Sequence, residues 1–408
     1  MKTLAGLAAG LMLGTTMTFS AAMAADAVAL NWQMWTGSAE DTAAWQHLAD
    51  MVHEKYPNIT VTLQTASWND YWTKLPVLAA SGQLADVVSM QSLRTPNFYQ
   101  LLEPLDPYVE KDKFDKGAFV PSIMDGMSTG GKLYGLPYDV GPWVIFYNKQ
   151  AFDAAGLKAP ASDWTMADFL ADAKALSKNG SFGFGATPGL FPQWVTANGG
   201  NYLNADGTPN FTAPDVVKAA ESFASLVTTD KVAPAVPASA NADDFFTGRF
   251  DSGNVAMYVD GPWSLISKKK DVKFPIGIVP MPAGPQGSQS VTAGSGFGIS
   301  ASSKHKDEAW QAIQVITSPE AEEYLAKQGR ALPARTAQQS FWFDFAAKDV
   351  EGAKDGIAYA MQHSKPYPIG NGWNGVEALM SQYLPLALSG SEPAAKTLAT
   401  IQSLATQN

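Results

Sequence analysis

The chain has no cysteine in 408 residues, so its fold is held without disulfides and its chemistry runs without a thiolate nucleophile or a Cys-ligated metal. Histidine is nearly as scarce. His47, His53, His305 and His363 are the full set, and His47 and His53 stand six apart, off the i, i+4 spacing that lets two imidazoles on one helix face share a zinc ion. A Ser nucleophile elbow and a phosphate-cradling P-loop are missing too. Positive charge is in short supply: 28 Lys and Arg face 38 Asp and Glu, a net charge of −10. That balance argues against nucleic acid or an anionic membrane as partner and suits a neutral or cationic ligand. Charged residues make up 16% of the chain and hydrophobic ones 46%, the composition of a globular protein rather than a disordered or membrane-spanning one.

One strongly apolar run exists, at the start. Lys2 precedes it, Thr15, Thr16, Thr18 and Ser20 interrupt its far end, and Ala22-Met23-Ala24 follows. This is the layout of a secretory signal peptide cut after Ala24; as a membrane anchor the apolar part is too short and too broken. Losing Lys2 leaves 27 positive against 38 negative side chains, so the mature chain carries −11. No cysteine is present at the cleavage site to carry a lipid.

A chain of this length exceeds one ordinary core and fits two domains of about 150 to 200 residues each. Val28 to Trp35 reads as a strand, Thr42 to Lys55 as an amphipathic helix, Ile59 to Leu63 as a strand, Trp68 to Ala80 as a helix and Asp86 to Gln91 as a third strand. Such alternation implies a parallel α/β sheet. The nineteen residues from Phe245 to Trp263 say most. Gly248 and Gly253 can take the positive φ of a helix end or tight turn, Val255 to Val259 is a β-branched and apolar run, and Pro262 suits a first helical position. Trp263 is therefore expected in the first turn of a helix at the carboxyl end of a strand, where open α/β sheets bind ligands. The alternative is that Trp263 and Met257 are ordinary core residues.

The spacing Phe245-x-x-Gly248, Ala256-Met257, Gly261-x-Trp263 resembles a signature of family 1 extracellular solute-binding proteins, the carbohydrate-binding subunits of ABC importers of the maltose-binding type. Other matches follow in order: Gly82-x-x-x-Asp86-Val-Val, Gly135-Leu-Pro137 with Tyr147-Asn148-Lys149, Trp164-Thr-x-x-Asp168-Phe169, Gly294-Ser-Gly-Phe-Gly298 and Leu332-Pro-Ala-Arg335. The resemblance covers nearly the whole mature chain, from about residue 28 to 405. The resemblance implies an α/β, two-lobed periplasmic binding protein fold, type II-like, with a ligand cleft between lobes joined by hinge crossovers. It puts the N-terminal lobe at residues 26–138 plus 292–338 and the C-terminal lobe at 139–291 plus 339–408. Pro137 and Pro142 would restrict the crossing backbone while Gly141 loosens it. The family also implies a monomer free in the periplasm, no cofactor or metal, and as partner a membrane permease with its cytoplasmic ATPase.

By the same correspondence, Trp35, Ser38, Glu40 and Gln91 lie on loops at one edge of the first sheet. Asp139 falls in the cleft, or else serves as a turn or cap residue. Asp260 and Trp263 stand together at a strand end. Trp373, flanked by Gly372 and Asn374 at a helix start, occupies a place where the family commonly puts a sugar-stacking aromatic. Trp194 is an aromatic floor or core. Gly296 belongs to a returning strand whose glycines let backbone approach a ligand. Arg335 and Arg94 are the guanidinium groups of the candidate loops, available to a phosphate or purely structural.

These residue types suit a pyranose, which has an apolar C–H face and a rim of hydroxyls. Trp263 and Trp373 would supply plates for the face, and Glu40, Gln91, Asp139 and Asp260 polar partners for the rim. The function expected is capture of a neutral mono- or oligosaccharide for an ABC permease. Two alternatives remain. The same fold could carry a polyamine or glycerol phosphate, or a secreted glycosidase could use two of Glu40, Asp139 and Asp260 as carboxylates spaced across a glycosidic bond.

Overall fold

The computed structural model describes residues 26–237, 241–285, 287–370 and 372–407; the expected signal peptide lies outside them. Its first sheet sets Ile59–Ala66, Val28–Trp35, Val87–Gln91, Ser295–Ile299 and Leu136–Pro137 side by side in that order. The first three strands pair in parallel, and Ser295–Ile299 runs antiparallel to both its neighbours. Pro137, which has no N–H to give a ladder, sits in the edge strand, where proline is tolerated. Along Val28–Trp35 the alternate residues Leu30, Trp32 and Met34 are fully buried, the period-two pattern of a strand facing a core. Trp32 Nε1 donates to Ser89 Oγ at 3.0 Å, so the buried indole is satisfied. Helices Ala39–Lys55 and Trp68–Ala80 begin at Ser38 and Ser67, each hydroxyl accepting an amide N–H three residues on, which stabilises a helix start.

The second sheet has the order Ile276–Pro280, Val144–Asn148, Val255–Asp260, Phe182–Phe184. Every residue of Val144–Asn148 is buried because both faces of the sheet are covered. Ile145 and Tyr147 pack into one cluster with Trp194 and Trp373, while Val144 and Phe146 pack into another with Phe250 and Trp342. Helix Trp373–Leu388 closes over the first of these with Val376, Met380, Leu384 and Leu388.

A small third sheet joins the two. Gly141–Pro142, Ser290–Ala293 and Ser364–Pro366 form it, with Ser290–Ala293 in the middle. The chain therefore leaves the first sheet at Leu136–Pro137, passes through Gly141–Pro142 and enters the second at Val144. It returns through Ser290–Ala293 directly into Ser295–Ile299. The result is an α/β architecture of two lobes with the crossings between them.

Candidate ligand cleft

Val255–Asp260 ends at Asp260, and Gly261 leads into the 3-10 turn Pro262–Ser264, which runs on as helix Leu265–Asp271. Trp263 thus stands in a helical turn at the strand's carboxyl end. Its seat needs two glycines: a Cβ on Gly261 would come within 2.1 Å of the indole, and one on Gly141 within 2.9 Å. The ring stays 36% exposed and meets Trp143 edge-on at 6.0 Å. Upstream, Gly253 takes φ +77° in the turn before the strand. Gly248, a candidate for a helix end, instead lies inside helix Ala242–Asp251.

This corner forms one wall of a cleft of about 590 Å³, a size ordinary for small-molecule sites. Six of the residues singled out in the sequence line it: Trp35, Gln91, Arg94, Asp139, Asp260 and Trp263. The opposite wall is aromatic. Trp35 packs edge-on against Trp68 at 5.2 Å, and Trp68 is 39% exposed at the cleft. Gly294 and Ser295, at the return crossing, line it as well.

Burial pushes up the carboxyl groups of Asp139, Asp260 and Glu377, which all line the cleft. Asp139 is buried, its Oδ1 accepts the Ser295 N–H at 2.5 Å, and burial raises its carboxyl to about 7 against the pull of that N–H and of Arg330. Asp260 is raised to about 6, opposed by the Ser264 hydroxyl, the Gly261 N–H at 2.7 Å and Lys268. A carboxyl near its midpoint at neutral pH can accept a hydroxyl hydrogen bond when ionised and donate one when protonated. The cleft's two guanidinium groups are both engaged by carboxylates of the chain: Arg330 Nε lies 3.1 Å from Asp41 Oδ1, and Arg94 lies 3.6 Å from Glu377 Oε2.

The structure places the other six candidates outside the cleft lining. Ser38 is the cap of Ala39–Lys55, accepting the Asp41 N–H at 3.1 Å. Glu40 is exposed in that helix's first turn, where its own amide and the Ser38 hydroxyl hold its carboxyl below the usual range. Trp194 belongs to the core rather than to a floor: it is 3% exposed and packs on Phe169, Phe184 and Phe223. Gly296 serves strand packing, since a Cβ there would meet the Leu136 carbonyl at 2.4 Å. Arg335 is structural. Its Nε donates to the Thr317 carbonyl at 2.6 Å, its guanidinium lies 4.3 Å from the Phe119 ring centroid, and buried Glu322 accepts its backbone N–H. Trp373 is 1% exposed against Tyr202, and its Nε1 donates to Glu377 Oε1 at 3.2 Å. It reaches the cleft only indirectly, through Glu377 and Tyr367, which line it.

Sequence reading did not single out Trp68, Trp143, Tyr258, Arg330, Tyr367 or Glu377, all of which line the cleft. Trp143 carried a usable signal, because it lies in the crossing segment between Pro142 and the strand Val144–Asn148. The rest are brought in by tertiary packing.

Two α/β lobes with an aromatic and acidic cleft at their crossings define a two-lobed solute-binding protein. The chain matches the bacterial extracellular solute-binding protein model over residues 35–323 and belongs to that family. It is similar to the lactose-binding protein of Rhizobium radiobacter, 25% identical over 75% of this chain and 78% of the relative. Among solved structures it resembles an ABC substrate-binding protein of Listeria monocytogenes in complex with cycloalternan (TM-score 0.83, 24% identity, 94% of this chain and 99% of that one). It also resembles the Mycobacterium tuberculosis protein UgpB in complex with glycerophosphocholine (TM-score 0.78, 20% identity, 93% of this chain and 98% of that one). The family consists of extracellular binding proteins that serve ABC transporters. Among the described residues no helix is long and apolar enough to cross a membrane.

Proposed function

We propose that this chain captures a neutral mono- or oligosaccharide in the interlobe cleft and delivers it, in the periplasm, to the permease of an ABC importer whose cytoplasmic ATPase supplies the energy. The observation that carries this reading is the corner at the end of Val255–Asp260. There the exposed Trp263 indole lies beside Asp260 in a cleft also lined by Asp139 and Gln91, which offers an aromatic plate for a pyranose face and polar partners for its hydroxyls. Trp35 and Trp68 add aromatic surface from the other lobe. Because Arg94 and Arg330 already stand beside carboxylates of the chain, their charge is partly compensated, which favours a neutral cargo over a phosphate. The lactose-binding relative and the cycloalternan-bound neighbour support the same ligand class. On this reading the lobes, 26–138 plus 292–338 and 139–291 plus 339–408, close over the sugar about the crossing strands. The protein is exported by a signal peptide cut after Ala24, carries no lipid anchor, acts as a monomer, and does no chemistry on its ligand.

A thermal-shift panel of neutral sugars, polyamines and phosphate esters tests the reading. A ligand at a hundred times its Kd should stabilise the folded state by about 2.7 kcal/mol, and only sugars should do so. Stabilisation by polyamines alone would assign Asp139 and Asp260 to an ammonium ligand, and stabilisation by glycerol phosphate alone would assign a guanidinium group to it. Recovery of a stoichiometrically bound oligosaccharide as its hydrolysis products would make the protein a glycosidase instead.

A further inference from the structure

One polar link runs across the cleft directly between side chains of the two lobes. Arg94 follows the first-lobe strand Val87–Gln91, and its guanidinium donates to Asn374 Oδ1 at 2.6 Å while standing 3.6 Å from Glu377 Oε2. Asn374 and Glu377, 280 or more residues away, are both in the first turns of helix Trp373–Leu388, whose Trp373, Val376 and Met380 pack into the second lobe's core.

Both ends of the link are held. Arg94 stacks 4.6 Å from the Trp72 ring centroid, and Trp72 packs on Trp35, Trp68, Tyr71 and Phe98. On the other side Trp373 Nε1 fixes the Glu377 carboxylate at 3.2 Å. The two side chains are only 18% and 34% exposed, so salt screens their attraction less than it would on an open surface. Burial pushes the Glu377 carboxyl upward, and the Arg94 charge is the main pull against it. A planar guanidinium gripped by an aromatic ring loses little freedom when it bonds, so such a contact is more than an incidental surface pair.

We propose that Arg94 is a positioning residue of the cleft: by bridging to Asn374 and Glu377 it sets the spacing of the two walls before any ligand arrives. The bridge raises the fraction of ligand-free protein whose walls already have the binding spacing. Apparent affinity scales with that fraction, so Arg94 contributes to ligand capture even where the ligand does not touch it. The inference goes beyond the sugar reading and does not require it.

The test is small-angle scattering on the full mature chain without ligand, comparing the parent with Arg94→Ala and Glu377→Gln. Both variants should keep the parent's circular dichroism and gain roughly 1 Å in radius of gyration, on a compact-chain value of about 21 Å. Glu377→Gln preserves side-chain volume and the stacking of Arg94, so it remains informative should Arg94→Ala fail to fold. Expansion in Arg94→Ala alone would assign the bridge to Asn374, and Asn374→Ala must then expand as well. Parental dimensions in both folded variants would overturn the proposal. No ligand enters the measurement, so this result and the sugar screen fail independently.

Discussion

Two helices of the second lobe are entered through a glycine and a tryptophan, and they dispose of the indole in opposite ways. At Gly261-Pro262-Trp263 the ring is 36% exposed and lines the cleft. At Gly372-Trp373 it is 1% exposed, set between Tyr202 and Tyr367. The local sequence is similar; what stands opposite differs. Trp263 faces a crossing strand whose Gly141 leaves room for a ring lying against the backbone, with open cleft on its other side. Trp373 begins the apolar stripe of Val376, Met380 and Leu384 and is covered by it and its neighbours. A tryptophan at a helix start is thus a binding surface or a core residue according to what the rest of the chain sets against it.

The largest effect that sharpens this contrast is on stability. Trp373→Ala removes a fully buried aromatic and should cost about 3–5 kcal/mol, lowering the melting temperature by roughly 10 °C in a calorimetric scan. If Trp373→Ala instead melts like the parent while losing sugar affinity, the contrast between the two helix starts is wrong. Next comes Trp263→Ala, for which titration calorimetry should show binding weakened by about 2 kcal/mol, roughly thirtyfold, with the melting temperature nearly unchanged. An unfolded Trp263→Ala would put that indole in the core with Trp373. A pH effect at the carboxyl on the crossing itself checks the other side of the cleft. With Asp139 raised to about 7 from an ordinary value near 4, the folded state holds this proton more tightly than the unfolded chain. Its stability therefore falls as pH rises from about 4 to about 7, and falls no further above that. Asp139→Asn removes the component, so in urea titrations the variant should gain on the parent across that window and then run level; a constant difference would contradict the assignment.

What the sequence made legible was what chain neighbours determine. Pro262 after a buried strand is enough to put Trp263 at a strand end, and alternating segments are enough to imply the parallel sheet of Val28–Trp35, Ile59–Ala66 and Val87–Gln91. Ser38 carried a second local signal, a serine before a helix, and capping is the role it plays. Exposure was not legible. With twelve tryptophans in the chain, nothing within a few residues of Trp194 or Trp373 separates a plate from core, because the covering residues Phe223 and Tyr202 come from elsewhere. The same holds for Arg94 and Glu377, whose meeting depends on both lobes. Arg335 shows the converse, a cation whose partners Thr317 and Glu322 lie on the preceding helices and remove it from any ligand.

The indole of Trp263 rests on Gly141, and Gly141 belongs to a strand that passes from one lobe to the other. Jaw and axle are in direct contact. A ring stacked on that indole would bear, through one aromatic thickness, on the backbone about which the halves turn, with no relay of intervening side chains. The tryptophan would then be a gauge as well as a plate: its near neighbour Trp143 sits on the same crossing, so closure as proposed should alter the fluorescence of this pair.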